Sequence, residues 1–576
     1  MAADSIPAVH PAEARPTIQV YLPDGRVVEG PRGLQLAEFL ESLPGLPAPV
    51  VGAVVNGELR ELTFALEMDA RLRPITMADA DGMRIYRRSL TFLLAAVFEE
   101  LFPDGSLAVD HSVASGGYFC EVTGRAALDD VELARLESAM RDRVEKDLPI
   151  GKMQVPLEQA IEHFRSRRFD DKVRLLQHRR KPYLVLYTLG QHRDYHHGYM
   201  VPSTGYLKWF GLVRTGAGFT LRFPRRHEPD RLQPLPGYPK LLATFRQYGD
   251  WLDRLGISYA GALNDAIAEG RADQVVLVSE ALHERRIAEV AGQVAERLGR
   301  VRLVLIAGPS ASGKTTFSKR LSIQLLALGI SPLPVELDNY FVDREATPKD
   351  DSGQYDYESL GALDLTRLNR DLRRLIAGET VCMPHYDFKA GRSLEGDDVA
   401  LAPDQILLLE GIHGLNPALV TDLSPEHTFR VYVSALTQLN LDRYNRVSTT
   451  DTRLLRRIVR DATQRGYSAA DTIQRWESVR RGEKRNIFPY QENADVMFNS
   501  ALVYEASTLA PLAEPLLRQV PFGTAEHVEA KRLLAFLEWF LPLDAGVIPD
   551  NSILREFIGG SILKDFIPWG ASRPAR

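Results

Sequence analysis

Strict alternation of apolar and polar positions opens the readable part of the chain. Residues 17–30, TIQVYLPDGRVVEG, form two short alternating runs around Pro23-Asp24-Gly25, which predicts a β-hairpin. A stretch of helical period, LQLAEFLESL, follows, then a second β-rich stretch, PVVGAVVNGELREL. Together they predict a small α+β unit over residues 17–88, preceded by a loose tail, 1–16. The block 89–222 combines a helix over 90–101, strands within 106–122, a long helix over 129–147 and a strand near 183–187. Five prolines and little periodicity mark 223–240 as a linker. Helical patterns from Leu241 to Leu298 complete a connector, 223–299. From Val301 continuous apolar runs alternate with amphipathic ones: VRLVLIAG, TTFSKRLSIQLLALG, PLPVELDNYF, DQILLLEGI and FRVYVSA. Fully apolar strands separated by helices predict an α/β domain over 300–515, a parallel sheet with helices on both faces. A helical extension, 516–576, closes the chain.

Composition narrows this picture without changing it. Of 576 residues, 45% are hydrophobic and 25% charged, the balance of a globular protein rather than a disordered one. Cys120 and Cys382 are the only cysteines, which excludes a disulfide scaffold or a multi-cysteine zinc module. The densest apolar run, Leu90 to Phe98, is about half of what a membrane span needs. The first sixteen residues lack the apolar core of a signal peptide. The expected location is therefore cytoplasmic, with no membrane contact. A formal charge of −6 argues against a general nucleic-acid-coating protein, so any such contact would be a local patch.

The chemistry concentrates after the strand RLVLIA. Gly308-Pro309-Ser310-Ala311-Ser312-Gly313-Lys314-Thr315 fits G-x-x-x-x-G-K-[ST] between a predicted strand and a helix that continues through Thr316. Such a loop turns backbone N–H groups inward around phosphate oxygens, and the helix N-terminus adds its positive end. Lys314 would reach the β- and γ-phosphates and the Thr315 hydroxyl would ligate Mg²⁺, making ATP with Mg²⁺ the implied cofactor pair. Asp338 follows the strand PLPVEL, where a carboxylate can accept a hydroxyl proton or simply cap a loop. Glu410 ends the strand QILLLE, a place suited to holding Mg²⁺ through water. Arg453, Arg456, Arg457 and Arg460 fall at i, i+3, i+4 and i+7, on one helix face. From Arg453 to Arg485 nine Arg and one Lys stand against four acids, either a solvated face or a lid closing on phosphate.

At these residues the C-terminal half resembles the uridine kinase and phosphoribulokinase superfamily. The likeness runs through GPSASGKTT, DNYF, GQYDYESLGALD, MPHYDFKAGR, LLLEGIHG, DTRLLRRIVRDATQRG and ENADVMFN, in order, over residues 300–510. It implies a P-loop kinase fold in which Asp338 is the general base, with Lys314 and Arg460 on the transferring phosphate. Residues 308–316, Arg460 and Arg465 would bind ATP. Tyr340, Glu358, Tyr386 and Arg457 would line the acceptor site, and Thr315 and Glu410 the metal site. Three positions depart from the uridine kinase pattern. Glu358 stands where that family carries an aspartate, Gly391 where it carries a pyrimidine-contacting histidine, and Tyr467 where the lid has another arginine.

The N-terminal half is similar to the front of threonyl-tRNA synthetase: 17–88 to its TGS domain and 89–222 to its editing-type domain, including SVASGGYFCEV and VPSTGYLKWF. The H-x-x-x-H positions of that editing site read Arg88 and Phe92 here, and His196 stands at or near the place of its cysteine, which implies an inactive editing domain. His192, His196 and His197 form a loop cluster without an evident second ligand group for zinc.

Two functions follow as expectations. One is an ATP-dependent kinase phosphorylating a small-molecule hydroxyl, the 5′-hydroxyl of a nucleoside such as uridine or cytidine. The other is an ATP-gated RNA-binding or regulatory protein using the TGS-like module, though net charge gives RNA no support. The segments 241–298 and 516–576 would serve domain docking or homo-oligomer formation.

Overall fold

The computed structural model describes residues 15–41, 49–113, 116–349 and 353–568; the expected tail falls almost wholly outside them. No helix among these residues is long and apolar enough to cross a membrane.

The expected hairpin forms between Thr17–Tyr21 and Val27–Pro31. It joins a five-stranded sheet in which Thr17–Tyr21 runs parallel to Ala70–Thr76. Helix Ala80–Leu101 then carries the chain straight across residue 88, so the expected boundary lies inside one continuous helix. Its apolar face, including Phe92, Leu93 and Phe98, is fully buried and serves both flanking sheets as core. Ser106–Val113 alternates half-buried and buried positions, the pattern of a strand with one face on the core. Helix Asp130–Glu145 starts at a capping box made by Asp129 and Glu132. Residues 223–238 carry no helix or strand, as the prolines imply, and helices Pro239–Leu255, Ala260–Ala268 and Ala272–Ala295 form the connector.

In the C-terminal half five parallel strands lie in the order Ser331–Glu336, Gln405–Glu410, Leu303–Ala307, Thr428–Ser434, Val496–Asn499. Leu303–Ala307 is buried at every position, which explains its unbroken apolar run. Helix Lys314–Ala327 leaves this central strand through the glycine-rich loop. Because all five strands run the same way, Asp338 and Glu410 fall at the carboxyl ends beside that loop, where open α/β sheets bind ligands.

The two halves share a core. The cluster centred on Val304, Ile306 and Phe317 continues through the connector to Leu184 and Leu186 and into the C-terminal helices through Phe536 and Trp539. Polar ties reinforce it. Lys172 is fully buried between Asp194, at 2.9 Å, and Asp442, at 3.1 Å. Arg443 grips Asp171, and Trp539 donates to His197 at 3.2 Å.

Candidate functional site

Packing around the phosphate loop leaves no room for a Cβ at either of its glycines. A Cβ on Gly308 would lie 1.9 Å from the Val433 carbonyl oxygen. Gly313 has φ +85°, and a Cβ there would meet Ile553 at 2.5 Å. Behind the loop, two of the four stripe arginines are structural. Arg453 is buried against Glu483 and donates to the Ser310 carbonyl at 2.9 Å. Arg456 is buried against Glu505 and donates to the Ser500 carbonyl at 2.8 Å. Helical spacing places all four guanidiniums on one face, but burial divides them. The first two hold the loop from behind, and only Arg457 and Arg460 remain on the lid side.

Those two and Arg465 gather on one carboxylate. Asp461, itself buried, takes Arg457 at 3.2 Å, Arg460 at 3.1 Å and Arg465 at 3.7 Å. Asp461 opens a π-helical turn, Asp461–Arg465, between helix Thr449–Arg460 and the left-handed Gly466, a local irregularity of the kind found where helices must move. Arg457 also donates to Ser310 Oγ at 3.0 Å.

Carboxylates accept from several donors of the loop. The Ser310 amide donates to Glu483 at 3.1 Å. The Thr316 amide and hydroxyl donate to Glu556 at 3.1 and 2.9 Å. The Thr315 hydroxyl donates to Glu410 at 3.1 Å, and Lys314 Nζ lies 3.8 Å from the same carboxylate. Glu410 is pushed up to about 7, first by desolvation and then by Asp338 and Glu336, with Lys314 pulling the other way. One hydroxyl and one carboxylate oxygen at this spacing are hard donors that fit a divalent cation such as Mg²⁺.

Asp338 sits in the short turn Leu337–Tyr340, open to the cleft. Surrounding protein nevertheless desolvates its carboxyl and raises it, against the pull of Lys314 and Arg465. Tyr340 points elsewhere. Its ring is buried and its hydroxyl faces Asp371, at 3.5 Å, and Met383 in the core, so the structure does not bring it to the cleft. Tyr386 is buried between the rings of Phe341, at 5.5 Å, and Phe388, at 5.0 Å, and its hydroxyl has no hydrogen-bond partner among the described residues. Glu358 likewise keeps a buried carboxylate oxygen without a partner; burial, then Glu483, pushes it up to about 7. Gly391 is a left-handed turn residue on which Arg344 packs: a Cβ there would lie 2.7 Å from the guanidinium. Arg344 donates in turn to the Tyr357 hydroxyl at 3.2 Å and the Phe388 carbonyl at 2.8 Å. Tyr467 is exposed, and Arg475 lies over its ring.

Glu483, Glu556 and Arg344 carry no local signal in the sequence. They act on residues that the fold brings near, Glu556 being 240 positions from Thr316, whereas Asp461 meets Arg457 and Arg465 four positions away on either side.

In the N-terminal half Phe92 fills the editing-type position. It lies 5.0 Å from the ring of His192 and 5.4 Å from that of His196, while Arg88 donates to the Tyr199 carbonyl at 2.6 Å. Glu99, His192 and Asp194 converge closely enough for a metal. Arg167 pairs with Glu99 and Lys172 with Asp194, while His192 Nε2 and Asp194 Oδ2 are buried without a hydrogen-bond partner among the described residues.

The fold and loop define the class: a P-loop α/β domain of kinase type. Within it, residues 303–506 match the model described as the phosphoribulokinase / uridine kinase family. The N-terminal region matches threonine–tRNA ligases. The ligase of Symbiobacterium thermophilum is 32% identical over 204 residues, 35% of this chain and 31% of that protein. The ligase of a Polaromonas species is 31% identical over 213 residues, 37% of this chain and 33% of that one. The chain thus spans about a third of the length of the curated relatives it matches. Among solved structures, one described as a possible uridine kinase from Bacillus stearothermophilus is 20% identical, with a TM-score of 0.24 over 36% of this chain and 100% of that one.

Proposed function

We propose that this chain is an ATP-dependent kinase that transfers the γ-phosphate to the hydroxyl of a small molecule, a nucleoside 5′-hydroxyl being the acceptor the pocket suits. The convergence of Asp338, Lys314, Thr315 and Glu410 at one end of the sheet carries this reading. Asp338 takes the hydroxyl proton as the new O–P bond forms, the bond from γ-phosphorus to the β–γ bridging oxygen breaks, and ADP leaves. Lys314 holds the β- and γ-oxygens. Arg457, Arg460 and Arg465 exchange Asp461 for the charge spreading on the transferring group. Thr315 and Glu410 would hold Mg²⁺, which when bound neutralises phosphate charge. The unpartnered Glu358 carboxylate oxygen and Tyr386 hydroxyl would supply an acceptor and a donor-acceptor for sugar hydroxyls, beside the rings of Phe341 and Phe388.

The test is incubation with ATP·Mg²⁺ and a nucleoside panel, read as a phosphorylated acceptor by mass spectrometry. ATP consumed only when RNA is added, with no acceptor phosphorylated, would overturn the kinase reading in favour of the ATP-gated alternative.

Two further outcomes follow. Glu556→Gln weakens the carboxylate's hold on the Thr316 amide, so the fraction of loop ready for phosphate rises. KM for ATP is expected to fall about fivefold with kcat little changed, measured by initial rates. Because Glu410 is raised to about 7, its ionised form, the one able to ligate a cation, is lost as pH falls through 7. The Mg²⁺ concentration giving half-maximal rate is therefore expected to climb about tenfold per pH unit below 7 and to level off above 8. A Mg²⁺ requirement independent of pH would remove Glu410 from the metal site.

A further inference from the structure

Between the two halves lies a cavity of about 420 Å³, bounded by helix Ala80–Leu101, the segment around Arg225–His227, residues 441–453 and helix Ala469–Asn486. It borders the phosphate loop at Pro309 but does not reach the acceptor side around Glu358. Helix Ala469–Asn486 stands between the cavity and that side, with Gly482 and Asn486 against Glu358 on one side and Glu477, Arg480 and Lys484 on the other. In a chain of net charge −6 the cavity inverts the sign, with ten Arg or Lys in its lining against Asp451 and Glu477 alone.

The pairing of those cations decides what the cavity is for. Arg84, Arg226, Arg453 and Arg532 have carboxylate partners. Arg87, Arg88, Arg446 and Lys484 have no ion-pair partner among the described residues. The Nε atoms of Arg87 and Arg446 are buried without any hydrogen-bond partner. Their guanidiniums lie instead over aromatic rings, Arg87 at 4.6 Å from Phe223 and Arg446 at 5.2 Å from Tyr118. Desolvation lowers Arg87 and Arg88. It also pushes Arg480 down to about 10 and, with the neighbouring Arg480 and Arg226, Lys484 at the mouth down to about 8. Cations held out of water with no counter-charge destabilise a fold, and low-dielectric walls focus their potential on whatever enters. Planar guanidinium forks match phosphate oxygens, aromatic walls suit a base, and the volume is that of a small-ligand pocket.

We propose that this inter-domain cavity, which adjoins the phosphate loop at Pro309, is a second binding site for a phosphate-bearing nucleotide, either free or as the end of a strand. Its occupancy reaches the loop through one short relay. Arg480 lies 3.8 Å from Glu483, whose carboxylate accepts the Ser310 amide. A ligand that draws Arg480 away shifts how firmly Glu483 holds that amide.

The test uses the full chain loaded with a single equivalent of the slowly hydrolysed analogue ATPγS, which fills the phosphate loop and leaves the second site open. Two probes are titrated by calorimetry: the four ribonucleoside triphosphates and an eight-residue oligouridylate. One further equivalent is expected to bind, with affinity falling steeply as salt rises. Arg87→Gln with Arg446→Gln should weaken that event at least about tenfold while ATPγS stoichiometry stays at one, which also shows that the variant folds. Lys484→Gln, at the exposed mouth, provides a milder version of the same loss. Binding of mononucleotides identifies a free nucleotide as the ligand, and binding of the oligonucleotide alone identifies a strand end. No binding of either probe, or binding unchanged in both variants, overturns the proposal.

Discussion

Asp338→Asn is expected to bind ATP as the parent chain does while kcat falls by about 10³-fold. The amide keeps the shape of the carboxylate in the turn Leu337–Tyr340 but cannot take the acceptor proton at the moment the phosphoryl group moves. Its carboxyl is raised by desolvation yet held ionisable by Lys314 and Arg465, which are the charges a base near phosphate requires. Steady-state rates beside ATP binding by calorimetry check the prediction. An unchanged kcat would take Asp338 out of the base role, whereas equal losses in binding and turnover would make it a scaffold for Lys314. Lys314→Ala is the companion case and should lose turnover together with grip on the β- and γ-phosphates.

The second large effect is on stability. Glu483→Ala leaves the buried Arg453 guanidinium without its charge partner and the Ser310 amide without its acceptor. Removing one member of a buried pair costs about 3–5 kcal/mol. A lowering of the thermal midpoint by about 10 °C in calorimetry at fixed scan rate is expected. The double variant Arg453→Met with Glu483→Leu should recover most of that loss, because an apolar pair of similar volume escapes the desolvation of two ions. If Glu483→Ala melts with the parent, Arg453 is satisfied by the Ser310 carbonyl alone and the ion pair is dispensable.

Legibility differed along the chain for identifiable reasons. The loop 308–316 was readable because phosphate binding demands a fixed order of glycines, lysine and hydroxyl within one short segment, and the strand Leu303–Ala307 announced itself by unbroken burial. Asp338 and Glu410 were readable as strand-end carboxylates. The arginine stripe was half readable. Spacing put four guanidiniums on one face of helix Thr449–Arg460, but the same spacing fits a phosphate-facing lid and a buried staple. Only the positions of Glu483 and Glu505 separate Arg453 and Arg456 from Arg457 and Arg460. Tyr340, next but one to Asp338, could face the acceptor or the core, and its partner Asp371 lies in a different element. The boundary expected at residue 88 falls inside helix Ala80–Leu101, because only the apolar run from Leu90 marked the helix in the sequence while its first turns lie before it.

Local order along the chain was enough to specify a parallel α/β domain with a phosphate loop, a mixed α+β front half and the residue types at the cleft, since each of these obeys a short-range rule of period or spacing. Tertiary structure alone decided which charges meet. It set Glu556 on Thr316, put Glu483 on Arg453 and left Arg87 and Arg446 without a counter-charge between the halves. Electrostatic partnership depends on distance in space, and no period along the chain encodes contacts between residues hundreds of positions apart.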